Sequence, residues 1–436
     1  MSRESRLSFA SRFTGNRFLK QVAIIMAGTG IAQILTVVAA PLLSRLYEPS
    51  SFGLFALYTS IVSVLAGIMT LRYELAIVLP KTNEEAGSLF ILSLLIVLGM
   101  SGAVFLILWG ISVTELLPLS TTDMTQWLWW IPLSVLAMGV YQTLSYWCTR
   151  RQAFMRISTS QVLRSTGVTA TQITGGVLNA GASGLIGGQI LGQVLISTYM
   201  GAQVWKEDKN LFKTSCNWAR IKQLAKSYVR FPLYNTPQNL LNAISQNIPA
   251  ILLMKAYGAA VVGWYALAVR LIEMPLSLMG KSLSQVYFQR ISQAYHQGVN
   301  LYVHLRKTTL ILAVMGLFPA ATIIVLGPAI FALVLGEEWR EAGVYARWIV
   351  VWLFFGFLNS PAVATAQVYA MQRFLLGYEV LLFLTRTSAL YVGVAYLDAV
   401  SSIALYSIIG ACFNLALVLS VLTFVRRQLQ KDAQSM

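Results

Sequence analysis

The chain has 436 residues, 57% of them hydrophobic and 11% charged, with a mean hydropathy of +0.66 and a formal net charge of +16. That composition excludes a soluble domain and a soluble catalytic module. The first twenty residues are polar and basic, and an apolar run of about 22 residues follows, too long for a signal-peptide core of about 7–15 residues. It reads as an uncleaved first span. A span needs about 20 apolar residues, and the pattern predicts twelve of them. They cover approximately 20–43, 53–79, 88–113, 126–147, 158–179, 184–204, 231–254, 261–285, 308–335, 343–370, 375–397 and 401–425.

Two of the twelve are weakly hydrophobic. Segment five, STSQVLRSTGVTATQITGGVL, is rich in Ser, Thr, Gln and Gly. Segment seven holds Asn235, Gln238, Asn239, Asn242, Gln246 and Asn247, with Pro232, Pro237 and Pro249. Amides in hydrocarbon need partners, so these helices either pack inside a bundle or line a wet cavity. Asn242 and Gln246, with Gln33 and Gln172, are candidates to hydrogen-bond sugar hydroxyls; the competing role is adhesion between helices. Removing the two segments would break the alternation of charge described next.

With the N-terminus placed in the cytoplasm, 23 of the 32 Lys and Arg fall on the cytoplasmic side and three on the other: Arg45, Lys255 and Arg340. Cytoplasmic loops carry such an excess. Both termini are therefore expected in the cytoplasm of a multi-pass membrane protein. The positive balance belongs to one face of a membrane protein, so no nucleic-acid partner is implied. The longest polar stretch, 205–230, reads as a cytoplasmic linker between a six-helix lobe over 1–204 and another over 231–436. Residues 42–57 align without gaps to 252–267 at an offset of 210, with six of sixteen positions identical, among them Tyr47/Tyr257 and Gly53/Gly263. Both halves start inside, so the repeat is parallel, an arrangement that suits rocking around a central site.

Nine ionisable residues lie within the apolar segments: Arg72, Glu74, Arg164, Arg270, Glu273, Lys281, Arg347, Glu379 and Arg386. Charge there is retained for a site or a structural pair. Six are basic, which suits an anion; Arg matches phosphate oxygens with a fork of donors, and Lys acts as a point charge. Arg347 and Arg386 lie toward segment ends and are read as snorkelling to the interface. Arg72 and Glu74 are two apart, so on a regular helix they face different directions, whereas Arg270 and Glu273 share a face. Arg164 and Lys281 have no acidic neighbour at helical spacing, which makes them the leading candidates for contact with an anionic ligand. Glu74, Glu273 and Glu379 are the only carboxylates placed to carry a coupling proton or Na⁺. Burial favours the neutral form of a carboxylate and a neighbouring Arg favours the charged form, so Glu74 is the preferred candidate over Glu273.

Catalytic and cofactor signatures are missing from the sequence. There is no Ser/His/Asp arrangement, Walker loop or HExxH. Cys148, Cys216 and Cys412 lack metal-ligand spacing, so no metal and no cofactor is expected. The outer loops are short for a membrane polymerase or glycosyl ligase.

LRYELAIVLPKTNEEA (71–86), RFPLYNTPQNLLNAISQNIPAILL (230–253) and RLIEMPLSLMGKSLSQVYFQR (270–290) resemble the bacterial polysaccharide-transport family. These are the O-antigen or lipid-linked oligosaccharide flippases of the multidrug/oligosaccharidyl-lipid/polysaccharide exporter superfamily. The resemblance extends over nearly the whole chain. It implies an all-α protein with twelve transmembrane helices in two six-helix lobes around a central cationic cavity. It implies a non-enzymatic flippase moving undecaprenyl-pyrophosphate-linked repeat units by alternating access. Its cargo-binding residues would be Arg72, Arg164, Arg270, Lys281, Asn242 and Gln246. Lipid-linked oligosaccharide and membrane lipid would be its partners, with a polysaccharide polymerase and chain-length proteins beside it. A multidrug or cation antiporter of the same superfamily is the nearest alternative. It calls for acidic groups around its cargo, and the six-to-three basic excess opposes it. The membrane polymerase or ligase is the enzymatic alternative.

Overall fold

The computed structural model describes residues 16–113, 125–296, 301–369 and 371–434. It is helical, with no strand among the described residues. Twelve long helices correspond one to one with the twelve predicted segments: α1 Asn16–Leu46, α2 Pro49–Ala66, α3 Asn83–Val113, α5 Ile131–Arg150, α6 Phe154–Val177, α7 Ala182–Ser215, α9 Thr236–Tyr257, α10 Ala259–His296, α11 Leu301–Leu335, α12 Arg340–Val368, α13 Gln372–Tyr396 and α14 Ala399–Gln434. Two short helices, α4 Thr125–Leu128 and α8 Trp218–Ser227, complete the set. Eight of the long helices are apolar enough to cross a membrane by composition alone. The other four, α5, α6, α7 and α9, include both segments whose hydropathy is weak. Sharp helix ends use glycine where φ is positive: Gly258 (φ 85) donates to the Met254 carbonyl after α9, and Gly336 (φ 113) donates to that of Ala332 after α11.

Two compact units emerge. The first contains the described residues up to Leu46 together with Tyr58–Asn247, and the second contains Tyr47–Leu57 with Ile248 onward. In the first unit, α1 packs on α6, α6 on α7, and α5 on α3 and α7. The polar face of α6 is spent on α1. Thr29 Oγ1 donates to Gln161 Oε1 (2.7 Å), Ser165 Oγ donates to the Ala32 carbonyl (2.8 Å) and Ser158 Oγ to that of Ile24 (3.0 Å). Gln172 is buried and donates to the Leu185 carbonyl at 3.1 Å. Small residues admit this close approach; a Cβ on Gly28 would collide with Ser158. The core joins Trp147, Phe90 and Phe212, with the two Phe rings stacked at 4.7 Å. Residues 205–230 are largely helical: α7 runs through to Ser215, and α8 is capped by Asn217, whose side chain accepts from the backbone of Ala219 and Arg220. This stretch packs within the first unit. Ser88 Oγ donates to the Ser215 carbonyl (2.8 Å), and Trp147 Nε1 donates to Asp208 (2.9 Å), which Arg151 also engages.

In the second unit α12 is central, packed against α10, α11 and α14. Its core brings Ala362 and Ala366 against Leu417, Val421 and Val425. The first half of α2 belongs here because Phe52 sets its ring edge-on to buried Trp339, with centroids 5.0 Å apart. Beside it the internal repeat becomes physical. A Cβ on Gly53 would strike the carbonyl of Ala259, and a Cβ on Gly263 would strike the carbonyl of Pro49. Both pairs, 49/259 and 53/263, stand at the offset of 210. Equivalent glycines of the two repeats therefore rest reciprocally on equivalent helix starts, the signature of a local pseudo-two-fold contact.

Candidate functional site

The segment predicted as one span over 53–79 is broken. Helix α2 stops at Ala66, a turn follows, and a 3₁₀ helix spans Tyr73–Val78. Leu71 (φ 47) and Arg72 (φ 61) are left-handed, a conformation that costs non-glycine residues about 1 kcal/mol or more. The surroundings hold this turn in place. Thr70 Oγ1 accepts from the Arg72 backbone N–H at 3.3 Å, and the Tyr73 hydroxyl donates to the Ala225 carbonyl at 2.9 Å. Arg150 donates to the carbonyls of Ile77, Pro80 and Thr82.

The break changes the relation of two candidate residues. On a regular helix Arg72 and Glu74 would diverge. Here the left-handed pair turns Arg72 back, and its Nη1 lies 3.4 Å from Glu74 Oε1. Glu74 is fully buried and its Oε1 also accepts from Gln142 Nε2 at 2.9 Å; Arg72 stays 22% exposed. The arrangement presents one guanidinium to water, oriented by a carboxylate that water does not reach. Gln142 has no charge to betray it in sequence.

The amides of α9 form a ladder. Gln246 Nε2 donates to Asn242 Oδ1 at 2.9 Å, and both residues are exposed. Asn239 Nδ2 reaches the Gly67 carbonyl at 2.8 Å, tying the ladder to the start of the turn that carries Arg72. Arg72, Glu74, Asn242 and Gln246 therefore belong to the first compact unit, as does Arg164 on α6. Arg164 is half-buried and makes no ion pair among the described residues.

In the second unit, Arg270 is half-buried on α10 and likewise makes no ion pair among the described residues. Glu273, three residues on, is exposed, and the two form no salt bridge with each other among the described residues. Glu379 is exposed on α13. Lys281 lies on α10, and its side chain is outside those described. Arg386 departs from expectation. It does not snorkel; it is 8% exposed, with its guanidinium carbon 3.9 Å from the Trp352 ring centroid and 3.8 Å from that of Tyr406. Its Nε donates to the Tyr406 carbonyl. Arg347 is also engaged by the protein, donating to the Val325 carbonyl of α11 at 3.0 Å, three residues before Pro328 within that helix.

Comparisons with known proteins agree with this architecture. The family model described as "Polysaccharide biosynthesis protein" matches residues 42–344. The amylovoran biosynthesis protein AmsL of Erwinia amylovora is 22% identical over 169 residues, 39% of this chain and 42% of that relative, so the chain matches under half of its length. A multidrug resistance MATE family transporter of the MOP superfamily, in an inward-facing conformation, superposes with a TM-score of 0.65 at 15% identity, covering 94% of this chain and 98% of the other. The lipid II flippase MurJ, in an inward closed conformation, gives 0.64 at 14% identity, covering 92% and 87%. The fold is that of these multi-helix membrane transporters, and the chain belongs to the polysaccharide biosynthesis protein family.

Proposed function

We propose that this protein is a flippase for lipid-linked oligosaccharide. It moves undecaprenyl-pyrophosphate-linked repeat units from the cytoplasmic to the periplasmic leaflet of the inner membrane for O-antigen, capsule or exopolysaccharide synthesis. Its two halves, residues 1–204 and 231–436 joined through 205–230, alternate access to the cargo, with both termini in the cytoplasm. A polysaccharide polymerase and chain-length proteins take up the product.

One observation carries this reading. Each compact unit holds a half-buried arginine on a membrane helix, Arg164 and Arg270, without a carboxylate partner among the described residues. A cation carrier has no use for such groups. A pyrophosphate supplies the missing counter-charge, and charge-assisted hydrogen bonds to it are the strong ones. Arg72 adds a third guanidinium, Lys281 a point charge, and Asn242 and Gln246 exposed amides for sugar hydroxyls. Among the coupling candidates, Glu74 is favoured over exposed Glu273 and Glu379, because only a buried carboxylate makes a change of proton count costly to its surroundings.

The experiment is translocation of lipid-linked oligosaccharide in proteoliposomes, alongside complementation of a flippase-deficient strain. Arg164→Ala, Arg270→Ala and Lys281→Ala should each abolish or sharply slow transport at normal protein level. Full transport by all three variants would remove the anion-binding reading. Glu74→Gln should flip cargo without responding to an imposed proton gradient; a wild-type response would move coupling elsewhere.

A further inference from the structure

Within the first unit, α2, α5 and α7 enclose a cavity of about 190 Å³. It is lined by Tyr58, Thr59 and Ser63 of α2, Ser134 of α5, and Gln189 and Gln193 of α7, with Val62 and Met138 supplying apolar wall. Its depth follows from exposure. Ser63 is exposed and marks the mouth; Thr59 and Gln189 are half-buried; Tyr58, Val62, Ser134 and Gln193 are buried and form the floor. At the floor the Tyr58 hydroxyl shares a 2.6 Å hydrogen bond with Ser134 Oγ.

Gln193 sets the chemistry. It is 3% exposed, and its Nε2 is engaged by the Ala137 carbonyl and Ser197 Oγ. Its Oε1 is buried with no hydrogen-bond partner. A buried, unpaired acceptor costs about 1–3 kcal/mol and calls for an explanation. A ligand hydroxyl at the cavity floor answers that demand. Among the described residues no Asp, Glu, Lys, Arg or His lines the walls, so neither a phosphate nor a metal cation finds a counter-charge here. An acyl chain would strand hydroxyls and amides without partners. The volume equals about six waters at roughly 30 Å³ each, the size of one pyranose ring with its hydroxyls. Val62, Met138 and the Tyr58 ring can cover the C–H face of such a ring, while the two amides and the hydroxyls meet its edge.

We infer that this cavity is a subsite for one uncharged sugar residue of the cargo. The inference rests on the flippase reading and assigns recognition of the glycan to α2, α5 and α7, apart from the arginines that take the pyrophosphate.

The test measures two translocation rates in proteoliposomes: native lipid-linked oligosaccharide and undecaprenyl pyrophosphate carrying no sugar. Wild type should favour the sugar-bearing lipid by at least about tenfold, as expected of a site built to hydrogen-bond hydroxyls. Gln193→Leu should bring the ratio of rates toward unity. Ser63→Trp, at the exposed mouth where the fold has no stake, should do the same by plugging the entrance, and monodisperse elution certifies both proteins. A wild type without preference, or two folded variants that keep the wild-type ratio, would overturn the subsite and leave the cavity to water. A wild type that moves neither lipid would instead overturn the flippase reading itself.

Discussion

Arg270 and Arg386 stand in the same compact unit, both on membrane helices and both without an ion pair among the described residues. Their surroundings could hardly differ more. Arg386 is clamped between Trp352 and Tyr406, bonded to a backbone carbonyl, and 8% exposed. Arg270 has no comparable clamp among the described residues and is half-buried. Counting buried charge therefore says little about function. What separates a structural cation from a binding cation is whether the protein has already built its partners. Aromatic faces hold Arg386 in place; on the proposed reading, Arg270 is left for a ligand. Arg72 lies between the two, paired to buried Glu74 yet still in reach of water.

Removing the clamp should have the largest effect on stability. Arg386→Ala loses two desolvated cation–π contacts, each worth about 2 kcal/mol, and leaves a cavity among three helices. It should lower the melting temperature in detergent steeply and reduce membrane levels. Arg386→Lys should not restore stability, because an ammonium cannot stack as a guanidinium does. A fully stable Arg386→Ala protein would contradict a structural role for this arginine.

Gly410→Ala probes the same clamp from the other side. Its new methyl would stand 2.8 Å from Arg386 Nε and 2.9 Å from Trp352 Cδ1. Overpacking of this kind costs about 1–3 kcal/mol, so thermal stability should fall by a smaller step than for Arg386→Ala. The two substitutions should be less than additive when combined, since they act on one contact.

Asn217→Ala should have the smallest effect. It removes the cap of α8, worth about 1 kcal/mol. Hydrogen exchange should rise in Trp218–Ser227, with little change in global melting. Exchange that spreads through α5 and α7 would show that α8 is integral to the first unit's core.

Much of this was legible in the sequence. Twelve apolar segments gave twelve helices because their lengths and charge alternation admit few other readings. The polarity of α6 announced a helix whose polar face needs partners or water, and Ser158, Gln161 and Ser165 meet α1. The faint repeat at offset 210 proved to be the pair of glycines, Gly53 and Gly263, in reciprocal contact. The break at Gly67–Arg72 was not legible. Hydropathy runs on through 53–79, no proline intervenes before Pro80, and the left-handed turn is held by Arg150, Ala225 and Asn239 from distant parts of the chain. The Arg72–Glu74 pair follows from that break and was hidden with it. The stack on Arg386 needs α12, α13 and α14 in register, which spacing within one helix cannot reveal.

The central claim is that unclamped arginines bind an anionic headgroup. Its most direct test is the affinity of purified protein in nanodiscs for undecaprenyl pyrophosphate, compared between wild type, Arg270→Ala and Arg270→Lys. Loss of a charge-assisted contact worth about 1.5–3 kcal/mol predicts that Arg270→Ala raises Kd at least about tenfold at unchanged melting temperature, with Arg270→Lys recovering part of the loss. Equal affinity in Arg270→Ala and wild type would contradict the account.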